Sequence, residues 1–305
     1  MKNNALQKKL DELKKLADKS GISIDTEFEE LQKKIKSASQ TEIVWQKVEL
    51  ARHPERPYAM DYIERIFDGF VEQHGDRAFA DDPAIIGGLA FLNGMPVTIL
   101  ANQKGRTLRE NMIRNHGMAN PEGYRKALRL AKEAEKFKRP IVTFVDTAGA
   151  YPGLGAEERG IGEAIARNLR DFSMLQTPMI CIIIGEGGSG GALGLSVGDK
   201  IYMLQNAIYS VISPEGCASI LLRDSTRAKD AAAMLRITSE DLLRFKLING
   251  VIEEPAGGAH TNPDSVSADI KKVLVRDFAD LCRRTPQVLV RYRGQKIRKA
   301  GHWQE

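Results

Sequence analysis

The chain has 305 residues, 42% hydrophobic and 28% charged, with 45 Lys and Arg against 40 Asp and Glu; this composition excludes wholesale disorder and suffices for one large domain plus an appendage. The formal charge of +5 is scattered and comes with no nucleic-acid-binding motif, which argues against nucleic acid as a partner, while an acidic protein or a phosphate-bearing ligand would suit it equally. Cys181, Cys217 and Cys282 form neither a Cys-x-x-Cys pair nor a Cys/His cluster, which leaves a disulfide framework and a metal site in this chain without support.

The start, MKNNALQKKLDELKKL, is charged throughout and lacks the apolar core of a signal peptide. With no membrane-length apolar run downstream, the expectation is a soluble cytoplasmic protein without a membrane partner. Leu6, Leu10, Leu13 and Ala17 lie on one helical stripe, and Phe28, Leu31 and Ile35 resume it after Gly21, which predicts a helical hairpin. Near residue 50 the proline-punctuated ARHPERPY closes that arm. Beyond it short apolar runs alternate with helical patterns, the grammar of an α/β fold.

Strands are expected at residues 96–101, 141–145, 179–184, 201–204 and 208–212. Between them Tyr124, Ala127, Leu128, Ala131 and Ala134 form one helical face, and Ile161, Ile165, Leu169 and Phe172 another. Residues 264–292 read as one long helix, and the basic RYRGQKIRKAGHWQE that closes the chain has few apolar anchors and is expected to fray.

Two segments place glycines directly after an apolar strand and before a helix: VDTAGAYPGLGAEERG from Val145 and IGEGGSGGALGLSVGD from Ile184. Glycine there lets backbone N–H groups face a ligand, and a helix start adds positive potential to them. Either segment can thus hold an anion or a developing oxyanion, although Gly187 to Gly194 could also serve only close helix packing. The second is not a phosphate loop, because no Lys-Ser or Lys-Thr follows it. Ser189 lacks the Gly-x-Ser-x-Gly elbow and a paired histidine, and His116, His260, Glu157, Glu158 and Glu186 are acid/base candidates without a motif. Many oxyanion donors beside few nucleophiles point to chemistry that stabilises an enolate-like anion.

At these residues the sequence resembles the α subunits of bacterial multi-subunit acetyl-CoA carboxylase carboxyltransferase. The blocks that carry the likeness run from about Trp45 to His260: LARHPERPY, QKGR, PEGYRKALRLAKEAEKF, AGAYPG, AEERG, GEGGSGGALGL, YSVISPEGCASIL and GGAH. The resemblance implies a crotonase-like (ClpP/crotonase) fold of repeated ββα units with an N-terminal helical arm. It implies division into an arm at 1–49, a carboxyltransferase domain at 50–262, and a C-terminal helix and basic tail at 263–305.

It further implies an α2β2 assembly with a carboxyltransferase β subunit, working with a biotin carboxyl carrier protein and, at the level of the whole complex, biotin carboxylase. The reaction so implied moves the carboxyl group of carboxybiotin to acetyl-CoA, giving malonyl-CoA for fatty acid biosynthesis. By position, Gly190 and Gly191 correspond to a backbone oxyanion hole for the biotin ureido oxygen, with Gly149, Ala150, Tyr151, Gly187, Gly188 and Ser189 beside it in substrate binding. Biotin is carried by the carrier protein and is not attached to this chain. Leaving biotin and forming a thioester enolate create two anions, so the second hole is expected from the β subunit, which in the family also carries zinc.

The sequence departs from the family at Ala148 for a common Pro, at Ala101-Asn102 for Gly-His and at Ile161 for Gln. The alternatives are another crotonase-like acyl-CoA enzyme, such as a hydratase, and a non-catalytic basic binding protein.

Overall fold

The computed structural model describes Lys14 and residues 25–301. The expected stripe of Leu6, Leu10, Leu13 and Ala17 lies outside the described residues, as do the side chains of Leu31 and Ile35 and the last four residues of the basic tail. In chain order, α1 (Asp25–Ala51) and α2 (Ala59–Ile66) precede β1 (Asp68–Glu72), β2 (Ile85–Leu92) and β3 (Met95–Asn102). Then come α3 (Leu108–Ile113), α4 (Pro121–Lys136), β4 (Ile141–Thr147), α5 (Leu154–Glu158), α6 (Ile161–Met174), β5 (Met179–Gly188) and α7 (Ser189–Leu193). The chain continues through β6 (Lys200–Leu204), β7 (Ile208–Ser210), α8 (Pro214–Cys217), α9 (Ala228–Leu235), α10 (Ser239–Arg244) and β8 (Gly250–Ile252) to α11 (Pro263–Leu281) and α12 (Pro286–Arg298).

Two compact units result. One joins the described residues up to Lys47 with Pro214–Leu235, and within it Lys229 sits 3.3 Å from Glu42 and over the Trp45 ring. The other comprises Val48–Ser213 and Arg236 onward and holds an eight-stranded sheet in the order β1-β2-β3-β4-β5-β6-β8, with β7 added beside β5. Strands β1 to β3 pair antiparallel, and β3, β4, β5, β6 and β8 run parallel. Every residue of β4 and the first seven of β5 are buried, as expected of central parallel strands covered on both faces.

The β2–β3 hairpin was not anticipated from the sequence. Its turn is Asn93-Gly94 with φ of 49° and 79°, a left-handed pair whose twist matches the flanking strands. Strand β5 runs to Gly188 rather than to residue 184, and β7 stops at Ser210 rather than at residue 212. On α4 the expected face of Tyr124, Ala127, Leu128, Ala131 and Ala134 is buried. On α6 the buried face is shifted to Ile161, Ala164, Asn168 and Phe172. Asn168 is tolerated there because its amide donates to the carbonyls of Tyr124 at 3.0 Å and Gly194 at 3.1 Å.

The C-terminal expectation needs correction. Residues 264–292 are not one helix: the chain breaks after α11, and Thr285 and Pro286 start a second, Pro fitting the first turn because its missing N–H has no partner there anyway. Nor is RYRGQKIR frayed. Arg293, 1% exposed, donates to the carbonyls of Phe172, Leu175 and Thr177 and pairs with Asp199 at 2.8 Å. Lys296 donates to the carbonyls of Gly198 and Asp199. The tail is anchored by polar rather than apolar groups, which meet carbonyls in the last turn of α6 and in the loop after it.

Candidate active site

The site grows from an irregularity between two central strands. Val145 pairs with Ile183 and Thr147 with Gly187, so the single residue Asp146 faces Ile184, Gly185 and Glu186. Over the same stretch β5 exchanges β6 for β7 as its neighbour. The backbone groups left over are met by side chains: Arg56 Nε donates to the Ile184 carbonyl at 2.7 Å, and the Glu186 N–H donates to Asp146 Oδ1 at 2.9 Å. Residue 185 must be glycine, since a Cβ there would stand 2.5 Å from Asp146 Oδ1.

Each of these side chains is charge-paired. Arg56 and Glu254, 1% and 0% exposed, form a two-pronged pair at 2.6 and 3.1 Å, and Glu254 also accepts from Asn206 and the Ala259 N–H. Burial pulls the Arg56 pKa down, but Glu254 together with Tyr62 and Asp146 more than offsets it and the net shift is upward. Lys104 bridges Asp146 at 2.7 Å and Glu186 at 3.4 Å, and Arg52 holds the other Glu186 oxygen at 2.7 Å. Burial opposes both charges, yet the partners prevail: Lys104 is raised by Asp146 and Glu186, and Glu186 is lowered by Lys104 and Arg52.

Beyond this knot the two glycine segments pack backbone on backbone. A Cβ on Gly188 would lie 2.0 Å from the Ala148 carbonyl, and one on Gly191 would lie 2.3 Å from Gly149 C and 2.6 Å from Ala150 N. The structure thereby brings Gly188 and Gly191 against Gly149 and Ala150, with Gly187, Ser189, Gly190 and Tyr151 adjoining them along the chain. Tyr151 N–H donates to the Ala119 carbonyl, and Thr147 Oγ1 donates to the Gly149 carbonyl at 2.7 Å, fixing the first loop. Ser189 takes a left-handed φ of 49° to start α7, which leaves the first N–H groups of that helix without an acceptor inside it. Space remains beside two residues: nothing lies within 4 Å of a Cβ on Gly149, and one on Gly190 would meet only Ile165 methyls at 3.6 and 3.7 Å.

A cleft of about 210 Å³ opens beside the charge knot, lined by Arg52, His53, Tyr58, Lys104, His116, Ala148 and Glu186 among others. Of the acid/base candidates, His116 and Glu186 reach it. Glu157 and Glu158 are exposed at the end of α5, and His260 does not line the cleft itself but stacks on His53, which does, with ring centroids 3.8 Å apart. Arg56, Lys104, Asp146 and Glu254 were not singled out from the sequence. Arg56 and Lys104 lie within LARHPERPY and QKGR, but their ion partners are distant in sequence, so only the blocks were a signal. As for the departures, Ala148 faces the cleft, Asn102 donates to the Gly117 carbonyl at 3.4 Å, and Ile161 is a buried start to α6.

Among the described residues one cluster has metal-ligating types: His53, Glu55 and His260, whose donor atoms lie within 4.8 Å of one another. The imidazoles are tilted by only 11°, so their in-plane lone pairs run nearly side by side and do not converge on one ion. His53 Nδ1 already accepts from the Glu55 N–H at 3.2 Å. Burial and the neighbouring His53 hold His260 below its ordinary pKa.

The family model described as acetyl co-enzyme A carboxylase carboxyltransferase-like matches residues 2–301. Proteins named acetyl-coenzyme A carboxylase carboxyl transferase subunit alpha are similar over nearly the whole chain. That of Treponema denticola is 64% identical, with 100% of both chains covered. That of Alkaliphilus oremlandii is 52% identical, covering 98% of this chain and 96% of the relative. Among solved structures, transcarboxylase 12S with methylmalonyl-coenzyme A and methylmalonic acid bound superposes with a TM-score of 0.60 at 20% identity, over 74% of this chain and 42% of that one. A Pseudomonas malonate decarboxylase hetero-tetramer in complex with coenzyme A gives 0.58 at 18% identity, over 72% and 90%. At such identities the likeness is one of fold, and the fold is crotonase-like.

Proposed function

The chain belongs to the family of acetyl-CoA carboxylase carboxyltransferase α subunits, and from that premise we propose how its two apposed glycine segments serve the transfer. Carboxybiotin, presented by a biotin carboxyl carrier protein, enters the space left open beside Gly149 and Gly190. The N–H groups of Gly190 and Gly191 receive the ureido oxygen as negative charge develops there. Gly149, Ala150, Tyr151, Gly187, Gly188 and Ser189 form the surrounding wall.

The acceptor is acetyl-CoA, its enolate held by a β subunit in an α2β2 assembly, and the product is malonyl-CoA for fatty acid biosynthesis in the cytoplasm, in a complex that includes biotin carboxylase. In this reading residues 50–262 carry the chemistry, between the arm at 1–49 and the C-terminal segment at 263–305. The reading is carried by one observation: Gly191 lies directly against Gly149 and Ala150 while Gly190 beside it stays open, a cradle that a side chain would fill.

The residues fit the group they would hold. A ureido anion needs donors aimed at where charge develops, and backbone N–H groups at a helix start provide them without reorganising. The test is Gly190→Val in the chain assembled with its β subunit. A Cβ there makes only ordinary contact with the Ile165 methyls, so melting temperature and sedimentation should change less than transfer from carboxybiotin, which falls by about a hundredfold to a thousandfold, as on losing one oxyanion donor. A fully assembled variant with undiminished transfer would overturn the assignment.

A further inference from the structure

The approach to Gly190 and Gly191 is set by the irregularity at Asp146. Where one residue faces three, ladder groups go unpaired, and a buried amide left so is costly unless a side chain meets it. Asp146, 2% exposed at its side chain, meets the Glu186 N–H and presses against Gly185. It cannot do so alone. The Glu186 carboxylate follows on the adjacent parallel strand, and two carboxylates brought to one point repel in a poorly solvated setting.

Lys104 resolves this, its ammonium lying within reach of both. Its stem crosses Gly117, where a Cβ would stand 3.0 Å from Lys104 Cγ and 2.9 Å from the Asp146 carbonyl. Three successive left-handed residues, Asn115, His116 and Gly117, with φ of 46°, 55° and 81°, make that crossing. Such backbone is costly and persists only where surrounding contacts impose it. Here the turn brings Gly117 against both the lysine stem and the Asp146 carbonyl.

We propose that Lys104 is a positioning residue for carboxyl transfer. By bridging Asp146 and Glu186, whose second oxygen Arg52 holds, it lets Asp146 hold the end of β5 in the shape that aims the N–H groups of Gly190 and Gly191. Lys104 acts through Asp146 and not on a reacting atom. The proposal rests on the assignment of those two glycines to the biotin anion.

The experiment uses the chain assembled with its β subunit and three variants: Lys104→Met, Asp146→Asn, and both together. Asp146→Asn keeps an acceptor for the Glu186 N–H but removes the charge that Lys104 grips. Lys104→Met should lower kcat about a hundredfold, the scale of a small misplacement of catalytic groups, with KM for acetyl-CoA changed less than about twofold. Amide exchange at residues 185–191, followed by mass spectrometry, should quicken at least about tenfold as the segment opens locally. The double variant should be no slower in transfer than the worse single variant, because both break one device.

Lost kcat with unchanged exchange would mean that Lys104 acts on the substrate directly, and multiplying losses would mean independent roles; either overturns the proposal. Quickened exchange with undiminished kcat would also overturn it, but at the Gly190 and Gly191 assignment and not at the hold of Lys104 on the turn. If Lys104→Met does not fold, Asp146→Asn carries the same measurements of kcat, KM and exchange, with the same directions expected.

Discussion

Gly190 and Gly191 are neighbours in sequence with opposite surroundings, and adding one methyl to each separates packing from chemistry. In Gly191→Ala the new carbon would lie 2.3 Å from Gly149 C, 2.6 Å from Ala150 N and 2.7 Å from the Gly149 carbonyl oxygen, all backbone atoms that no rotamer change can clear. The two loops must part, and overpacking of this kind costs about 1–3 kcal/mol. For a unit of roughly two hundred residues each kcal/mol lowers the melting temperature by about 2–4 °C, so a fall of about 2–12 °C is expected. In Gly190→Ala the same carbon meets Ile165 methyls at 3.6 and 3.7 Å, ordinary contact, and alanine is the better helix former by up to about 1 kcal/mol. That variant should melt at or slightly above the unsubstituted chain. Scanning calorimetry of both variants decides it. A Gly191→Ala chain that melts with the parent, or a Gly190→Ala chain that falls as far, would refute the backbone-on-backbone packing of the two segments.

Arg293→Met should lower the urea midpoint by the equivalent of about 3–5 kcal/mol, because it leaves Asp199 and three carbonyls buried without their partner; a loss under about 1 kcal/mol would contradict the anchoring of α12. Of the three thiols only Cys282 is exposed, and burial pushes the Cys181 thiol up to about 11, so a disulfide reagent should label one cysteine quickly in the folded chain and all three in urea; fast labelling of Cys181 would show its strand open. Burial alone would raise the Glu186 carboxyl, but Lys104 and Arg52 hold it below the ordinary 4.5, so its contribution to stability is complete above that pH and lost as pH falls beneath it. Glu186→Gln should therefore flatten the decline in stability below pH 4.5, and a decline as steep as the parent's would count against the knot.

Much was legible in the sequence because it is local. Buried parallel strands read as continuous apolar runs, so residues 141–145 and 179–184 stood out, and the amphipathic face of α4 followed from its period. The two glycine segments declared themselves by their place between strand and helix. The hairpin at Asn93-Gly94 was legible too, but Gly87 and Gly88 interrupt the apolar run of β2 and masked it. The tail was misjudged because counting apolar anchors overlooks a buried arginine satisfied by carbonyls from α6 and the loop after it.

The sequence by itself determined the strand and helix grammar, the family and the two glycine turns, since each is carried by residues close together along the chain. Only the tertiary structure decided that Gly191 and not Gly190 is pinned against Gly149, and that Lys104 serves Asp146 and Glu186, 42 and 82 residues away. The physical reason is range. Backbone propensity and hydrophobic period act within a few residues, whereas charge pairing and steric exclusion depend on distances that exist only once parallel strands have been brought side by side.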